Sequence, residues 1–324
     1  MKRLDHYWSS INFVSLILLP LSWLFCFISK LRAVLYSLNV FSAYKASVPV
    51  VVVGNVTVGG TGKTPLIIEL VKQLQSMGKK PGVISRGYGG TSSFWPQLVD
   101  QNITAEQVGD EPKLIHERTA CPVSVGPNRQ QDIELLLNKY HCDVILSDDG
   151  LQHYALQRDV EIVVVDAQRQ FGNGFCLPSG PLRESVSRLQ KVDMVLLNGG
   201  EADQDSFTLQ PAFCLPINKQ NEKPKALSDF SGQKVHAIAG IGNPLRFFNM
   251  LRRLGVQVIE HEFIDHASYL QTDLIFNDDL PVLMTEKDAV KCAEFELANH
   301  WSVPVSAIFS KSAEKKIHQL LQSI

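Results

Sequence analysis

No charge of either sign dominates this sequence: 31 Lys and Arg stand against 33 Asp and Glu in 324 residues, a formal net charge of -2. Without a basic field, the chain does not read as a dedicated nucleic-acid binder. Cysteine is scarce and unpaired. Cys26, Cys121, Cys142, Cys176, Cys214 and Cys292 include no C-x-x-C pair, which argues against a structural zinc or a disulfide framework and for a reducing compartment. No internal repeat or low-complexity tract occurs. Nor is the composition that of a disordered chain, since 45% of residues are apolar and 20% charged. At about 150 residues per domain, the length suggests two domains.

One further absence is local. From Tyr7 to Ser29 no residue is charged. As a helix that stretch would run about 35 Å, enough to cross a hydrocarbon core of about 30 Å. Lys2, Arg3, Lys30, Arg32 and Lys45 against Asp5 give residues 1–47 a net +4, leaving -6 for the remainder. Bases on both flanks suit a helix lying in the cytosolic interface better than a spanning one, because Lys2 and Arg3 resist export. Pro20, Asn12, Ser15 and Ser22 fit an interfacial or kinked segment, and Trp8 and Trp23 fit a headgroup boundary. A signal peptide would need a small-residue cleavage site that does not follow. A buried core helix is the reading that needs no membrane. The segment 1–46 is expected to associate with a membrane, with spanning and interfacial modes both open.

After Pro49 the chain alternates strand and helix. Val48–Val53 is a β-branched run of the kind buried on both faces of a parallel sheet. A helix follows with Leu66, Ile67, Leu70, Val71, Leu74 and Met77 on one stripe, ending at Gly78. Strands are expected near Gly82–Ser85, Val123–Val125, Val144–Ser147, Ile162–Val165 and Met194–Leu197, with a helix over Arg129–Tyr140. The fold class is α/β, a P-loop NTPase-like, mostly parallel sheet flanked by helices, over 47–200. Residues 201–232, with Pro211, Pro216 and Pro224, read as a connector. A smaller C-terminal α/β domain is expected over 233–324, including a strand at Val305–Phe309 and a last helix carrying Ile317, Leu320, Leu321 and Ile324.

Between the first strand and its helix lies Thr57-Val58-Gly59-Gly60-Thr61-Gly62-Lys63-Thr64. This is a phosphate loop in its proper context. Glycines let backbone N–H groups close on phosphate oxygens, the helix N-terminus adds positive charge, Lys63 reaches the outer phosphates, and Thr64 offers a hydroxyl to Mg²⁺. Two departures narrow the class. Thr57 stands where the usual pattern has Gly. Val58 stands where one ATPase class carries a signature Lys used across a dimer interface, which disfavours that class. No Asn-Lys-x-Asp occurs, and Thr285-Glu286-Lys287-Asp288 lacks the Asn, so a GTPase is disfavoured too. Asp148-Asp149, closing an apolar strand, would hold Mg²⁺ directly or through water. Arg86 and Tyr88 follow a strand end where such sheets bind ligands, and either contact substrate or merely pack.

Several motifs coincide in order: Gly54-Asn55-Val56-Thr57 leading into the loop, Ser85-Arg86-Gly87-Tyr88-Gly89, Gly109-Asp110-Glu111-Pro112, and Ser147-Asp148-Asp149-Gly150-Leu151-Gln152-His153. Then come Pro178-Ser179-Gly180-Pro181-Leu182-Arg183-Glu184, Gly240-Ile241-Gly242-Asn243-Pro244, Phe263-Ile264-Asp265-His266 and Thr285-Glu286-Lys287-Asp288-Ala289. Together they resemble the tetraacyldisaccharide 4'-kinase family of lipid A biosynthesis, over nearly the whole chain. The resemblance implies ATP and Mg²⁺ as cofactors. It implies transfer of the γ-phosphate to the 4'-hydroxyl of a tetraacylated glucosamine disaccharide 1-phosphate, at the cytosolic face of a bacterial inner membrane. No protein partner is implied. Lys63 and Thr64 match the family's P-loop lysine and hydroxyl ligand. Asp110 matches its catalytic aspartate and His266 the histidine that works with it. Asp148 and Asp149 match the acidic pair near nucleotide and metal, and Arg183 and Glu184 an Arg-Glu pair near phosphates and metal. Ser or Thr at position 57 is common in the family, and Ile264 is a small variation.

Simpler roles exist for the same residues. Asp110 could cap the helix beginning near Pro112, and His266 could sit on a surface loop. Two other function classes compete as well. A P-loop ATPase switch or metallochaperone would hydrolyse ATP without an acceptor, and a soluble small-molecule kinase would have no need of residues 7–29.

Overall fold

The computed structural model describes residues 4–211, 213–217 and 223–324. Among them, strands form two sheets. The first seven strands are β1 (Val50–Gly54), β2 (Pro81–Ser85), β3 (Gln97–Leu98), β4 (Val123–Val125), β5 (Val144–Asp148), β6 (Val160–Asp166) and β7 (Met194–Asn198). Next come β8 (Ser206–Pro211), β9 (Phe213–Pro216), β10 (Lys225–Ala226), β11 (Lys234–Ala239) and β12 (Gln257–Glu262). The last three are β13 (Val282–Thr285), β14 (His300–Val303) and β15 (Val305–Phe309). The larger sheet runs β15-β8-β7-β6-β1-β5-β2-β4-β3, parallel except at its two edge strands, β3 and β15. The smaller runs β10-β9-β14-β13-β11-β12.

β1 lies between β5 and β6, and all five of its residues are buried. That is why its sequence is unbroken Val rather than alternating. Its helix α3 (Lys63–Ser76) buries the stripe Leu66, Ile67, Leu70, Val71 and Leu74 in the core of the large sheet. The central parallel strands end on one side of the sheet, and the loops leaving them there build the site.

The C-terminal stretch divides otherwise than its sequence suggests. Residues 201–232 carry β8 in the large sheet and β9 and β10 in the small one. β15 pairs antiparallel with β8, and the final helix (Lys311–Gln322) sends Ala313, Ile317 and Leu321 into the large core. The tail therefore returns to the first unit and ties the two together. β3 and β14 have no counterpart in the sequence reading: β3 is two residues long, and β14 follows a run of turns.

The apolar N-terminus is two helices, α1 (Phe13–Ile17) and α2 (Leu19–Ser37). Asn12 caps the first through a reciprocal pair with Ser15. Pro20 sits in the first turn of the second, where its missing N–H costs nothing, so it starts a helix rather than kinking one. α2 also runs on through Lys30 and Arg32, past the charge-free stretch. The face turned to the body carries the hydrogen-bonding residues, with Phe25 and Cys26 packed beside them on the core. The Ser22 hydroxyl donates to the Cys176 carbonyl at 2.7 Å, Ser179 donates to the Ser15 carbonyl at 2.5 Å, and the Trp8 indole donates to the Pro178 carbonyl at 3.0 Å. Trp8 is thus engaged with the body, not free for a headgroup layer. The outward face is apolar and bare, with Phe13 77%, Trp23 68% and Phe27 64% exposed. By length and composition α2 could cross a membrane. Of the three contacts only that of Ser22 belongs to α2 itself, whose outward side chains are hydrocarbon.

Candidate active site

The phosphate loop is braced from behind. Asn55 donates to Thr61 Oγ1 at 3.3 Å and to the Gly59 carbonyl at 3.4 Å, while Asn198, ending β7, donates to the Thr61 carbonyl at 2.8 Å. The Val58 N–H donates to the Pro181 carbonyl at 2.9 Å, and Thr57 bridges Leu182. So Thr57 and Val58, the two positions that depart from the common patterns, are used to fasten the loop to the 176–182 segment on which the N-terminal helices rest. Gly60 and Gly62 complete the turn into α3, whose N-terminal N–H groups and positive end make an anion site.

Lys63 lies 3.5 Å from Asp149 Oδ1, and Arg183 binds the other oxygen of Asp149 at 2.8 Å. Burial would raise the Asp149 pKa, but these two cations outweigh it and hold the carboxyl below its ordinary value. Asp148 is different. It is buried at the end of β5, and its Oδ2 accepts one bond, from Ser85 at 3.1 Å. Burial first, then the charges of Glu111 and Asp149, push its pKa up to about 7, against the pull of Lys63. Asp148 Oδ1 and Asp149 Oδ1 are buried oxygens with no hydrogen bond. Hard, unsatisfied carboxylate oxygens beside a phosphate loop fit Mg²⁺. Among the described residues no three of His, Cys, Asp and Glu converge on a metal position. Glu184 sits apart in its bonding: one oxygen accepts from the Tyr154 hydroxyl and faces Arg188 at 3.7 Å, and the other, Oε1, is buried without a partner.

Asp110 and His266 meet. Asp110 opens the helix α5 (Asp110–Thr119), separated from the short helix α4 (Ala105–Val108) by Gly109 at φ 93, ψ 151, a backbone region essentially restricted to glycine. A Cβ on Gly109 would also lie 2.9 Å from the Tyr88 carbonyl oxygen. This turn aims a buried Asp110 at the second sheet. Its Oδ1 accepts from the Glu111 N–H at 2.9 Å and its Oδ2 meets His266 Nδ1 at 3.1 Å. The helix thus starts at Asp110 itself rather than near Pro112: Gly109 is its N-cap, with no side-chain capping bond, and Asp110 is paired with His266 instead. Burial would raise the Asp110 pKa, but the His266 bond and the ammoniums of Lys287 and Lys291 hold it low. The bond to Asp110 in turn raises His266. His266 and Asp149 both adopt left-handed backbone, φ 60 and φ 48. His and Asp tolerate this better than most residues, and such strain collects at functional sites. Tyr88 is exposed, its ring edge-on to His266 at 5.0 Å between centroids.

The small sheet closes against the loop. A Cβ on Gly242 would fall 2.6 Å from the Gly60 nitrogen and 3.4 Å from Asp265 Oδ2. Glycine at 242 therefore lets the 240–243 loop touch the phosphate loop, next to the residue preceding His266. Gly242 thereby brings the phosphate loop up against the loop that carries Asp265 and His266. The reading from sequence assigned no role to Lys287, which sits among Glu111, Asp265 and His266. It missed Asn198, Ser85 and Tyr154 as well. The available signals for Lys287 were its place in the Thr285–Ala289 motif and in a charged run directly after a buried strand.

A buried strand feeding a phosphate loop, with a buried carboxylate from another helix paired to a histidine beside it, defines a P-loop kinase. The particular family follows from comparison with known proteins. Residues 14–323 match the family described as LpxK, tetraacyldisaccharide-1-P 4'-kinase, and the chain belongs to it. It is 52% identical over 308 residues to the tetraacyldisaccharide 4'-kinase of Actinobacillus pleuropneumoniae serotype 5b (strain L20), covering 94% of each protein. It is 49% identical over 316 residues to that of Hahella chejuensis (strain KCTC 2396), covering 95% of this chain and 93% of the relative. A crystal structure of LpxK from Aquifex aeolicus in complex with ATP superposes with a TM-score of 0.76 at 27% identity, over 95% of this chain and 99% of that one.

Proposed function

We propose that the chain transfers the γ-phosphoryl group of ATP to the 4'-hydroxyl of a tetraacylated glucosamine disaccharide 1-phosphate, giving the 1,4'-bisphosphate and ADP. The observation that carries this is the 3.1 Å bond between Asp110 and His266 in the phosphate-loop cleft. A sugar hydroxyl is a weak nucleophile and needs a base as its oxygen bonds to phosphorus. Asp110, ionised at neutral pH, takes the O4' proton late, when the forming O–P bond has made it acidic. The O4'–P bond forms, the bond from the γ-phosphorus to the bridging oxygen breaks, and ADP leaves. Residues 57–64 cradle the phosphates, Lys63 stabilises charge on the transferring group, and Arg183 sits beside it through Asp149. Thr64, Asp148 and Asp149 would hold Mg²⁺, with the free Oε1 of Glu184 as a further oxygen. The ion supplies charge neutralisation on the phosphates.

The acceptor brings a phosphate of its own. A cavity of about 370 Å³ is lined by Ser42, Tyr44, Asn128, Arg129 and His153 among others. Burial, then Arg129, Arg158, Arg32 and Arg86, push the His153 pKa down to about 4. Arg129, the cation lining this cavity, supports a docking place for the 1-phosphate there.

The exposed apolar face of residues 13–28 supports attachment to the cytosolic face of a bacterial inner membrane, where the acyl chains remain while the sugars enter the cleft. The test is turnover by detergent-solubilised protein given ATP and Mg²⁺, with and without an acylated disaccharide 1-phosphate. ADP should form only with the acceptor, whose mass should rise by one phosphoryl group. Equal hydrolysis without acceptor would favour an ATPase switch and overturn the reading.

A further inference from the structure

We propose that Lys287 is the positioning residue of the Asp110–His266 pair: it fixes His266 as the Nδ1–H tautomer and so leaves the proton-accepting role to Asp110. This rests on the kinase reading above and adds a residue and an assignment of protons to it.

A lysine ammonium has three N–H donors and no acceptor. Around Lys287 Nζ lie three acceptors, Glu111 Oε1 at 2.9 Å, His266 Nε2 at 3.3 Å and Asp265 Oδ1 at 3.4 Å. Donors and acceptors match in number, so His266 Nε2 presents a lone pair. A neutral imidazole has one donor and one acceptor nitrogen. Its proton therefore sits on Nδ1, which meets Asp110 Oδ2 at 3.1 Å. The opposite tautomer would set an N–H against an ammonium and a lone pair against a carboxylate.

Lys287 is well held for this task. Its side chain is mostly buried, and the charges of Glu111, Asp110 and Asp265 raise its pKa against the effect of burial, so it stays charged. It lies on the short helix Glu286–Ala289, capped by the Thr285 hydroxyl. The next residue, buried Asp288, binds the Gly240 N–H, Tyr269 and Lys291. The groups facing His266 are Asp110 from α5, Tyr88 from the loop after β2, Asp265 beside it in its own loop and Lys287. Lys291 stands 3.9 Å from Asp110.

Two consequences follow. With Nε2 engaged by Lys287, His266 is not free to take the acceptor's proton there. Asp110 keeps one hydrogen bond on each oxygen, from Glu111 and from His266, and each oxygen retains a further lone pair for the incoming proton. Lys287 also opposes double protonation of His266, because a second N–H would point at a cation.

The direct test is ¹⁵N NMR of histidine-labelled full-length protein in detergent, with His266 assigned by its loss in His266→Gln. At alkaline pH the wild type should show His266 protonated at Nδ1 and bare at Nε2. The reverse pattern overturns the proposal whatever any variant does. Lys287→Met keeps the length and cannot donate. It should let the tautomers mix and lower kcat by about tenfold to a hundredfold, the usual effect of losing an outer partner that orients an imidazole. It should also move the acid limb of the pH–rate profile to higher pH, with KM for ATP changed by less than about twofold. Lys287→Arg keeps the charge and should restore part of kcat and the position of the limb. A Met variant with wild-type kcat and pH profile would overturn the proposal. Should that variant not fold, the wild-type tautomer and the Arg variant's profile decide. If the kinase reading were the error, wild-type enzyme would make no lipid product while the tautomer measurement stood.

Discussion

His266 Nδ1 lies 3.1 Å from Asp110 Oδ2, although the two residues are 156 positions apart, one opening helix α5 and the other in the loop that follows β12 of the small sheet. The contact depends on the small sheet resting against the phosphate-loop unit. Anything that parts the two units also takes Asp110 away from His266.

Asp110→Ala and His266→Ala should each lower kcat, by about 10²- to 10⁴-fold for a lost general base, with ATP binding nearly intact. Because the two act as a unit, the double variant should be little worse than the worse single one. Fully multiplicative losses in steady-state kinetics would show that they act independently.

The pair also gives stability a pH window. Asp110 has a lowered pKa, so its contribution is present above its unfolded value of about 4 and is lost as pH falls through the lower folded value. His266 has a raised pKa, so its contribution is complete below about 6.5 and is lost as pH rises through the higher folded value. The difference in Tm between wild type and His266→Ala should be widest at about pH 5–6.5 and narrow on both sides. A difference that grows steadily into alkaline pH would contradict this ion pair.

Lys63→Ala should cut kcat by about 10²- to 10³-fold, the scale of an electrostatic contact to a transferring group. The loss of the cation beside Asp149 should also raise that carboxyl's pKa. Activity within about threefold of wild type would remove the phosphate loop from the mechanism.

For the membrane, substitution tells more than truncation. Deleting residues 1–30 would remove the Ser15 and Ser22 contacts and uncover the core patch that Phe25 and Cys26 partly cover, confusing attachment with folding. Changing Phe13, Trp23 and Phe27 to Ser leaves those contacts in place. Liposome flotation should fall and the apparent KM for vesicle-borne lipid should rise, with ATP affinity unchanged, since each large apolar side chain is worth about 1.5–3 kcal/mol on burial. Undiminished flotation would place attachment elsewhere. Ser22→Ala is the converse probe: it loses one buried hydrogen bond, worth about 1 kcal/mol, and should loosen the helix from the body without weakening flotation.

Much of this could be read along the chain. The unbroken valines of β1 announce a strand buried on both faces, the glycines and lysine after it announce a phosphate loop, and the helix Arg129–Tyr140 keeps the bounds its pattern suggests. These features are local: side-chain periodicity, turn chemistry and capping act over a few residues and need no partner. The roles of Asp110 and His266 were accessible only through resemblance to a family, because no spacing rule joins residues so far apart. The serine-inward docking of α2, the return of β15 and the last helix to the first sheet, and the three acceptors around Lys287 had no local signature. Each depends on which surfaces meet once the chain has folded: a strand's neighbours are chosen by register and burial across the sheet, and a lysine's hydrogen bonds by whatever carboxylates and imidazoles the packed elements bring within reach.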